Sequence, residues 1–509
     1  MSSLCSRIDP RIYPTARAAF AVLALLGTSE AVPQQVALPG GPAQPQNITL
    51  PTTKPGQLIG ELLELCETPQ LDAMTHWFTT NFPDDAVSRG APGGIAHDFV
   101  GRCSTDGVLL TEKVNKSEPS YVSLTVLGEK SNIWYTLALV TNSDGKITWT
   151  GIEPAIPAEG ALPRTLSDAA IESHLRQAVA QLADEGRFSG LVVVARGHTM
   201  IANITAGYAD RAKHTPFTGR TQFTLGSMGK MFTATGIGQL VDAHKLSFTD
   251  PVGRFFPDYP NRTVRDKVTV GMLLSHTGGL GDFLSKRTPE MMKSGVKRAA
   301  EFMPLYDQDE PRFEPGTSWS YSNAGLALAG AILEKVSGED YPDYLRKHIF
   351  APTGMMDSDP NNIPRPHANL VVPYTREAQA QDWHPAEADI GSPAGGSIST
   401  ANDLVRFAEA LRSGKLVSQA TFQEMTSTHA TIPGDGERYG YGVVIEEVYG
   451  RKVVGHSGGF PGVSTHLQMF LDAPYTIVAL TNQDPPAESY AATKAIALVA
   501  ERIKSERPK

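Results

Sequence analysis

Three observations predict an α+β fold. Near both ends of residues 165–505 the pattern is that of strands: 190–196 (GLVVVAR) and 199–205 (TMIANIT) at one end, and about 441–447, 452–455, 464–471 and 475–481 at the other. Between them, from about 230 to 420, the apolar residues recur mainly at helical spacing. A separate stretch ahead of both, residues 54–156, passes from helices to strands by itself. This order predicts an antiparallel sheet covered by its two terminal helices, with a helical subdomain beside it and a small α+β domain in front. The cleft between the halves of the larger region is the natural place for a site.

Residues 1–31 stand apart from the fold. Arg7, Arg11 and Arg17 precede the apolar run 18–27 (AAFAVLALLG), and Ser29-Glu30-Ala31 places small residues at the two positions a signal peptidase reads. A signal peptide is expected, and with it a secreted or periplasmic location; uncleaved anchoring is the alternative. The run is too short to cross about 30 Å of hydrocarbon, and no later run approaches the roughly 18 apolar residues of a span, so no stable membrane span is expected after cleavage.

Residues 32–53, rich in Pro, Gly and Gln, read as a linker. Leu58, Leu62 and Cys66, then Leu71, Met74 and Phe78, recur at helical spacing; Val122, Leu124 and Val126 alternate, and 133–140 and 147–152 follow as strands. Residues 54–156 are therefore expected to pack two helices on an antiparallel meander. By topology alone that order resembles the nuclear-transport-factor-2-like fold. A Pro and Gly stretch at 156–163 closes it. Thr165 or Ser167 then caps a helix carrying Ile171, Leu175, Val179 and Leu182. The first hairpin turns at Gly197-His198, the short strand 222–225 leads straight into a helical pattern, and a helix over about 486–504 ends the region.

The 509 residues suggest about three domains at roughly 150 each. With 41% hydrophobic and 19% charged residues the composition is that of a globular chain and excludes a disordered one. A net charge of −9 offers no basic footprint for nucleic acid. Cys5 would leave with the signal; Cys66 and Cys103 remain as a pair that an oxidising compartment could join, which the spacing leaves open. Two cysteines are too few for a Cys-rich zinc site and HExxH is absent, so neither metal nor organic cofactor is expected. The expected partner is a small-molecule or peptide substrate; oligomeric state is not legible.

Gly455-His456-Ser457-Gly458-Gly459 matches G-x-S-x-G, the nucleophile elbow of α/β-hydrolases. Its context fails: Phe460-Pro461-Gly462 and then a strand follow the serine, where an elbow needs a helix. The only downstream histidine, His466, also precedes Asp472 and Asp484 instead of following them. A second candidate is the S-x-x-K of Ser227 and Lys230. Ser143 to Lys146 and Ser294 to Lys297 spell the same pattern, but only Ser227 follows a strand and opens a helix. Spacing of i and i+3 puts Lys230 on the face of Ser227, where it could take the hydroxyl proton while the helix N-terminus favours negative charge. The bland reading is a helix-capping serine and a solvated lysine. Tyr321-Ser322-Asn323 and His456-Ser457-Gly458 have decoys of their own in Tyr259-Pro260-Asn261 and His276-Thr277-Gly278.

The longer surroundings are specific. TLGSMGKMFTATGIGQLVD, LLSHTGGL, PGTSWSYSNAGLALAG, PAGGSISTANDL and GHSGGFPG occur in this order between about 170 and 500. Together they resemble the serine β-lactamase and penicillin-binding-protein superfamily, in its branch of class C β-lactamases, DD-peptidases, D-aminopeptidases and esterases. The resemblance implies a β-lactamase-like fold and a serine hydrolase. Ser227 would be the acylated nucleophile, Lys230 its activating partner, Tyr321 the proton-shuttling phenol, and Asn323 a hydrogen-bonding partner of the substrate amide. The N–H groups of Ser227 and Gly459 would form an oxyanion hole; His276 and the PAGG segment would be structural. His456-Ser457-Gly458 stands where class C β-lactamases usually carry Lys-Thr-Gly. Histidine is mostly neutral at pH 7, so this departure favours an esterase or D-amino-acid peptidase over efficient β-lactam hydrolysis. A class C-like β-lactamase and a non-catalytic penicillin-binding sensor are the alternatives.

Overall fold

The computed structural model describes residues 48–88, 90–163, 167–287, 298–360, 369–375, 391–434 and 436–506. The expected signal, most of the expected linker, Thr165 and the Ser294 to Lys297 pattern lie outside the described residues. The chain divides into two compact units, Met1–Pro163 and Arg164–Lys509.

The first unit pairs β1 (Leu109–Glu118), β2 (Tyr121–Gly128), β3 (Trp134–Thr141) and β4 (Ile147–Pro154) as an antiparallel meander in chain order. Val122, Leu124 and Val126 are buried, as their alternation requires. The helix Lys54–Glu67 starts at Thr53, whose hydroxyl accepts from Gly56 N, and buries Leu58, Leu62 and Cys66. Leu71–Asn81 buries Met74 and Phe78. Two helices were expected here, yet Asp84–Ser88 and Ala91–Asp106 are also helical. The second of these was hidden by Pro92, Gly93, Gly94 and Gly101, residues that read as loop. Proline is tolerated in a first turn, and Ala96, Phe99 and Cys103 form the buried stripe. Cys103 closes a disulfide to Cys66, tying the first helix to the last across 37 residues.

In the second unit Ser167 caps Asp168–Asp184, its hydroxyl accepting from Ala170 N. β5 (Gly190–Arg196) and β6 (Thr199–Ala206) form the first hairpin, and the two-residue β7 (Phe223–Thr224) pairs with β8 (Ile398–Ser399). Two-residue β9 (Ala430–Thr431) and β10 (Arg438–Tyr439) lead to β11 (Val444–Val448), β12 (Arg451–Phe460), β13 (Val463–Phe470) and β14 (Tyr475–Thr481). The eight-stranded antiparallel sheet runs β6-β5-β14-β13-β12-β11-β10-β9, so strands from the two ends of the region meet at the β5–β14 pair. The terminal helices Asp168–Asp184 and Ala487–Glu506 pack on each other and on this sheet. Among the helices of the intervening stretch, Lys230–Asp242 and Asn323–Ser337 are buried along most of their length. Phe232 meets Phe350 and Phe407 edge to face at 5.1 and 4.8 Å.

The largest departure from expectation is β12, predicted over about 452–455 but running to Phe460. Its second half is His-Ser-Gly-Gly, a composition of poor strand propensity, and the ladder to β13 (His456↔Leu467 through Phe460↔Val463) overrides it. β11 stops pairing at Val444↔Gly455, so residues 456–460 extend beyond β11 along its side of the sheet.

His466 on β13 is buried and neither ring nitrogen has a hydrogen-bond partner among the described residues; burial pushes its pKa down to about 4. The unfolded chain therefore binds a proton near pH 6.5 that the folded chain refuses, so this stability is present above about pH 6.5 and is lost as pH falls toward 4. Thermal denaturation at pH 7 and pH 5 checks this: the midpoint falls at the lower pH, and His466→Leu reduces that fall. Removing the disulfide, by Cys66→Ser or Cys103→Ser, is expected to cost about 3–4 kcal/mol of stability in the first unit. Urea unfolding reads it, and an unchanged midpoint contradicts the bridge.

Candidate active site

The nucleophile candidate sits where a strand is forced into a turn. After β7, residues Gly226–Gly229 form a single 3-10 turn and Lys230–Asp242 continues as α-helix. Gly226 has φ +55°, and a Cβ there would lie 3.0 Å from Gly459 N, so only glycine suits both the dihedral and the approach. The turn is clamped from two sides. Leu225 N donates to Ser397 O at 3.0 Å and Gly396 N to Gly226 O at 3.2 Å, while Thr465 Oγ1 donates to Leu225 O at 2.8 Å. A Cβ on Gly458 would come within 1.9 Å of Leu225 O, so the bareness of β12 is what lets the turn lie on it. Ser227 is half-buried; it does not act as the helix-capping serine of the bland reading.

Lys230 is 0% exposed. Its Nζ lies 3.0 Å from Ser227 Oγ and 2.9 Å from Asn323 Oδ1, and it also donates to the Ala394 carbonyl. The PAGG segment thus supplies an acceptor as well as a clamp. Asn323 opens the helix Asn323–Ser337 behind its cap Ser322, whose hydroxyl accepts from Gly325 N at 2.8 Å. Asn323 Nδ2 donates to Asp282 Oδ2 at 2.9 Å. Asp282 is a site residue that the sequence reading passed over; its signal was its place two residues after LLSHTGGL.

Tyr321 is half-buried with its ring centroid 4.7 Å from Lys230 Nζ. His276 packs 4.5 Å from that ring and 4.7 Å from the ring of Tyr439. Its Nδ1 accepts from Ser322 N at 3.1 Å, so the neutral ring carries its proton on Nε2. Burial first, then the charge of Lys230, holds the His276 pKa well below the usual histidine range. This histidine fixes the backbone between Tyr321 and Asn323 and takes no proton in doing so.

On β12 the four expected residues divide. Ser457 and Gly459 are exposed, whereas His456 and Gly458 are buried. His456 is 4% exposed and lies beneath the surface. Its Nδ1 faces the Ser457 carbonyl, which can only accept, so Nε2 accepts from the Tyr439 hydroxyl at 2.9 Å. Burial, and secondarily Lys230, push its pKa down to about 3. The sequence reading expected a mostly neutral group here. It had no means of finding Tyr439, which lies on a two-residue strand without a motif. Ser227, Lys230 and Asn323 are brought into one hydrogen-bonded chain, Tyr321 is stacked against it, and Gly459 lies against the turn. The decoy Ser143 sits in the β3–β4 turn of the other unit, while His466 and Ser457 of the elbow-like motif face each other across β12 and β13 with no hydrogen bond between them among the described residues.

The family model described as Beta-lactamase matches residues 175–501 and leaves the first unit outside. A penicillin-binding protein of Bacillus subtilis (strain 168) is 29% identical over 331 residues, which are 62% of this chain and 72% of that one. A D-aminopeptidase of Cereibacter sphaeroides (strain ATCC 17029 / ATH 2.4.9) is 25% identical over 327 residues, 63% of this chain and only 61% of its own length. Among solved structures, the D-amino acid amidase of Ochrobactrum anthropi SV3 with D-phenylalanine has a TM-score of 0.57 and 26% identity, covering 66% of this chain and 99% of that one. The match spans well over half of the sequence, in the unit that holds the buried lysine and its serine: this chain belongs to the β-lactamase family of serine hydrolases.

Proposed function

We propose that the protein is an exported hydrolase that forms an acyl-enzyme on Ser227 and acts on an ester or amide, in the manner of an esterase or a D-amino-acid peptidase. The observation that carries this reading is the Lys230 amine, buried and 3.0 Å from Ser227 Oγ. Two of its partners, the Asn323 amide oxygen and the Ala394 carbonyl, can only accept. Once Lys230 gives up its proton, its two N–H groups still hold both acceptors and its lone pair is open to the Ser227 hydroxyl, which can donate. The Ser227 proton moves to Nζ as Oγ bonds to the substrate carbonyl carbon. The resulting oxyanion is received by the N–H groups of Ser227 and Gly459, and Tyr321 passes a proton to the leaving group as its bond breaks. Water then reverses the sequence and frees the acid. The D-aminopeptidase and D-amino acid amidase among its relatives favour an amide substrate class of this kind.

A β-lactamase would gain from a permanent cation for the substrate carboxylate. His456, buried and neutral, supplies none, which favours ester or amide turnover over that of a β-lactam. The Cys66–Cys103 disulfide supports export, since such bonds persist in oxidising compartments. Among the described residues no helix is long and apolar enough to cross a membrane.

A fluorophosphonate probe is expected to label the protein, and Ser227→Ala to abolish the label; equal labelling of the variant rules out the assignment. Lys230→Ala and Tyr321→Phe should each lower acylation by about 100-fold or more, read as the rate of probe incorporation. In a parallel turnover panel, a short-chain nitrophenyl ester or a peptide ending in D-Ala-D-Ala should outpace a chromogenic cephalosporin. Fast cephalosporin turnover would reverse the reading of His456.

A further inference from the structure

The Ala394 carbonyl that receives Lys230 lies on a turn, where no helix or sheet ladder fixes it, and it is held from both sides by other means. Behind it, Gly395 N donates to Ser392 O at 3.0 Å and Ser392 N to Gly395 O at 2.8 Å, which fixes the peptide plane containing the Ala394 oxygen. Ahead of it, the Pro393 carbonyl accepts from Thr233 Oγ1 at 2.6 Å, which fixes the other peptide plane at Ala394. Thr233 is 0% exposed and stands three residues after Lys230, so one face of the helix Lys230–Asp242 engages both carbonyls of the turn. The Pro393 ring lies in turn on Gly330 of the helix Asn323–Ser337, where a Cβ would come within 2.2 Å of it.

The Thr233 hydroxyl is itself directed. A carbonyl can only accept, so the hydroxyl hydrogen goes to Pro393 and Oγ1 accepts from the Tyr341 hydroxyl at 2.7 Å. Burial raises the Tyr341 pKa, so that hydroxyl keeps the proton it donates at neutral pH. The Tyr341 N–H is pinned by Glu334 Oε1 at 2.9 Å, on the helix that Asn323 opens. A threonine inside a helix has an alternative, the carbonyl one turn back, which Thr235 takes by donating to Met231 O at 2.7 Å. Tyr341 favours the outward bond of Thr233 over that one. Both residues are enclosed and neither offers a surface to a substrate. We infer that Thr233 is a positioning residue for the Lys230 amine: its hydroxyl, set by Tyr341, holds the 392–395 turn so that the Ala394 oxygen meets Nζ and the lone pair of the amine is left for Ser227. The inference rests on the acyl-enzyme reading of Ser227.

The test follows incorporation of a fluorophosphonate probe over a range of probe concentrations, which separates the maximal rate of serine modification from the half-saturating concentration. Thr233→Val, equal in shape but without the hydroxyl, should lower the maximal rate by about 10- to 100-fold, the scale for a misplaced catalytic group, and leave the half-saturating concentration unchanged. Thr233→Ser, which keeps the hydroxyl, should restore most of the rate. In a Lys230→Ala background Thr233→Val should cost nothing further, because its effect passes through the amine; a merely structural role would lower the rate there by the same factor. Should Thr233→Val fail to fold, Tyr341→Phe carries the test, since it frees the Thr233 hydroxyl to turn back along its helix and should lower the maximal rate in the same way. A parent-like rate in Thr233→Val, or in Tyr341→Phe where that variant carries the test, overturns the proposal. So does a loss that Thr233→Ser does not restore, or one that persists in full without Lys230. Failure of the probe to label Ser227 in the parent protein strikes the acyl-enzyme reading itself.

Discussion

Enclosing the amine of Lys230 constrains the rest of the catalytic unit. An amine taken out of water is costly unless its hydrogen-bonding capacity is met, and here it is met from three separate parts of the chain. The turn at Ser227, the first residue of the helix Asn323–Ser337 and the carbonyl of Ala394 must arrive together. Those segments are far apart in sequence and belong to the helical subdomain and to the loop that crosses back to the sheet. The same condition that stabilises the lysine assembles the site.

Backbone proximity does the remaining assembly. The Ser227 turn lies on β12 on one side and under residues 393–397 on the other: a Cβ at Gly458 would come within 1.9 Å of Leu225 O, and one at Gly226 or Gly395 would be crowded at 3.0 and 3.1 Å. The glycines of GSMGK, PAGG and HSGG are thus parts of one three-layer contact. β12 extends past the end of β11 at this point, which leaves Ser457 and Gly459 exposed beside the nucleophile while His456 turns inward to Tyr439. A neutral histidine in that place holds a tyrosine and carries no charge to the cleft.

Much of this was legible in the sequence because periodicity survives wherever one face is buried. Ile171, Leu175, Val179 and Leu182 mark a terminal helix, and GLVVVAR marks a strand buried on both faces. Elements built by long-range contact were not legible: the second half of β12 is held by its ladder to β13 against its own propensity, and the helix Ala91–Asp106 is held by Phe99 and Cys103 despite three glycines and a proline. Within the site, Ser227, Lys230, Tyr321 and Asn323 announce themselves through motif order. Asp282 and Tyr439 do not, since their importance lies in which atom they face, and the burial of His456 could be known only once Tyr439 was placed above it.

Mass spectrometry of the protein, acid-quenched during turnover of a slowly hydrolysed ester and then digested, tests the central claim most directly. An adduct of the acyl mass on the peptide containing Ser227, which disappears as the ester is exhausted, is the predicted result. An adduct on Ser457, or turnover of the parent protein that leaves no acylated peptide in the quenched sample, would contradict it.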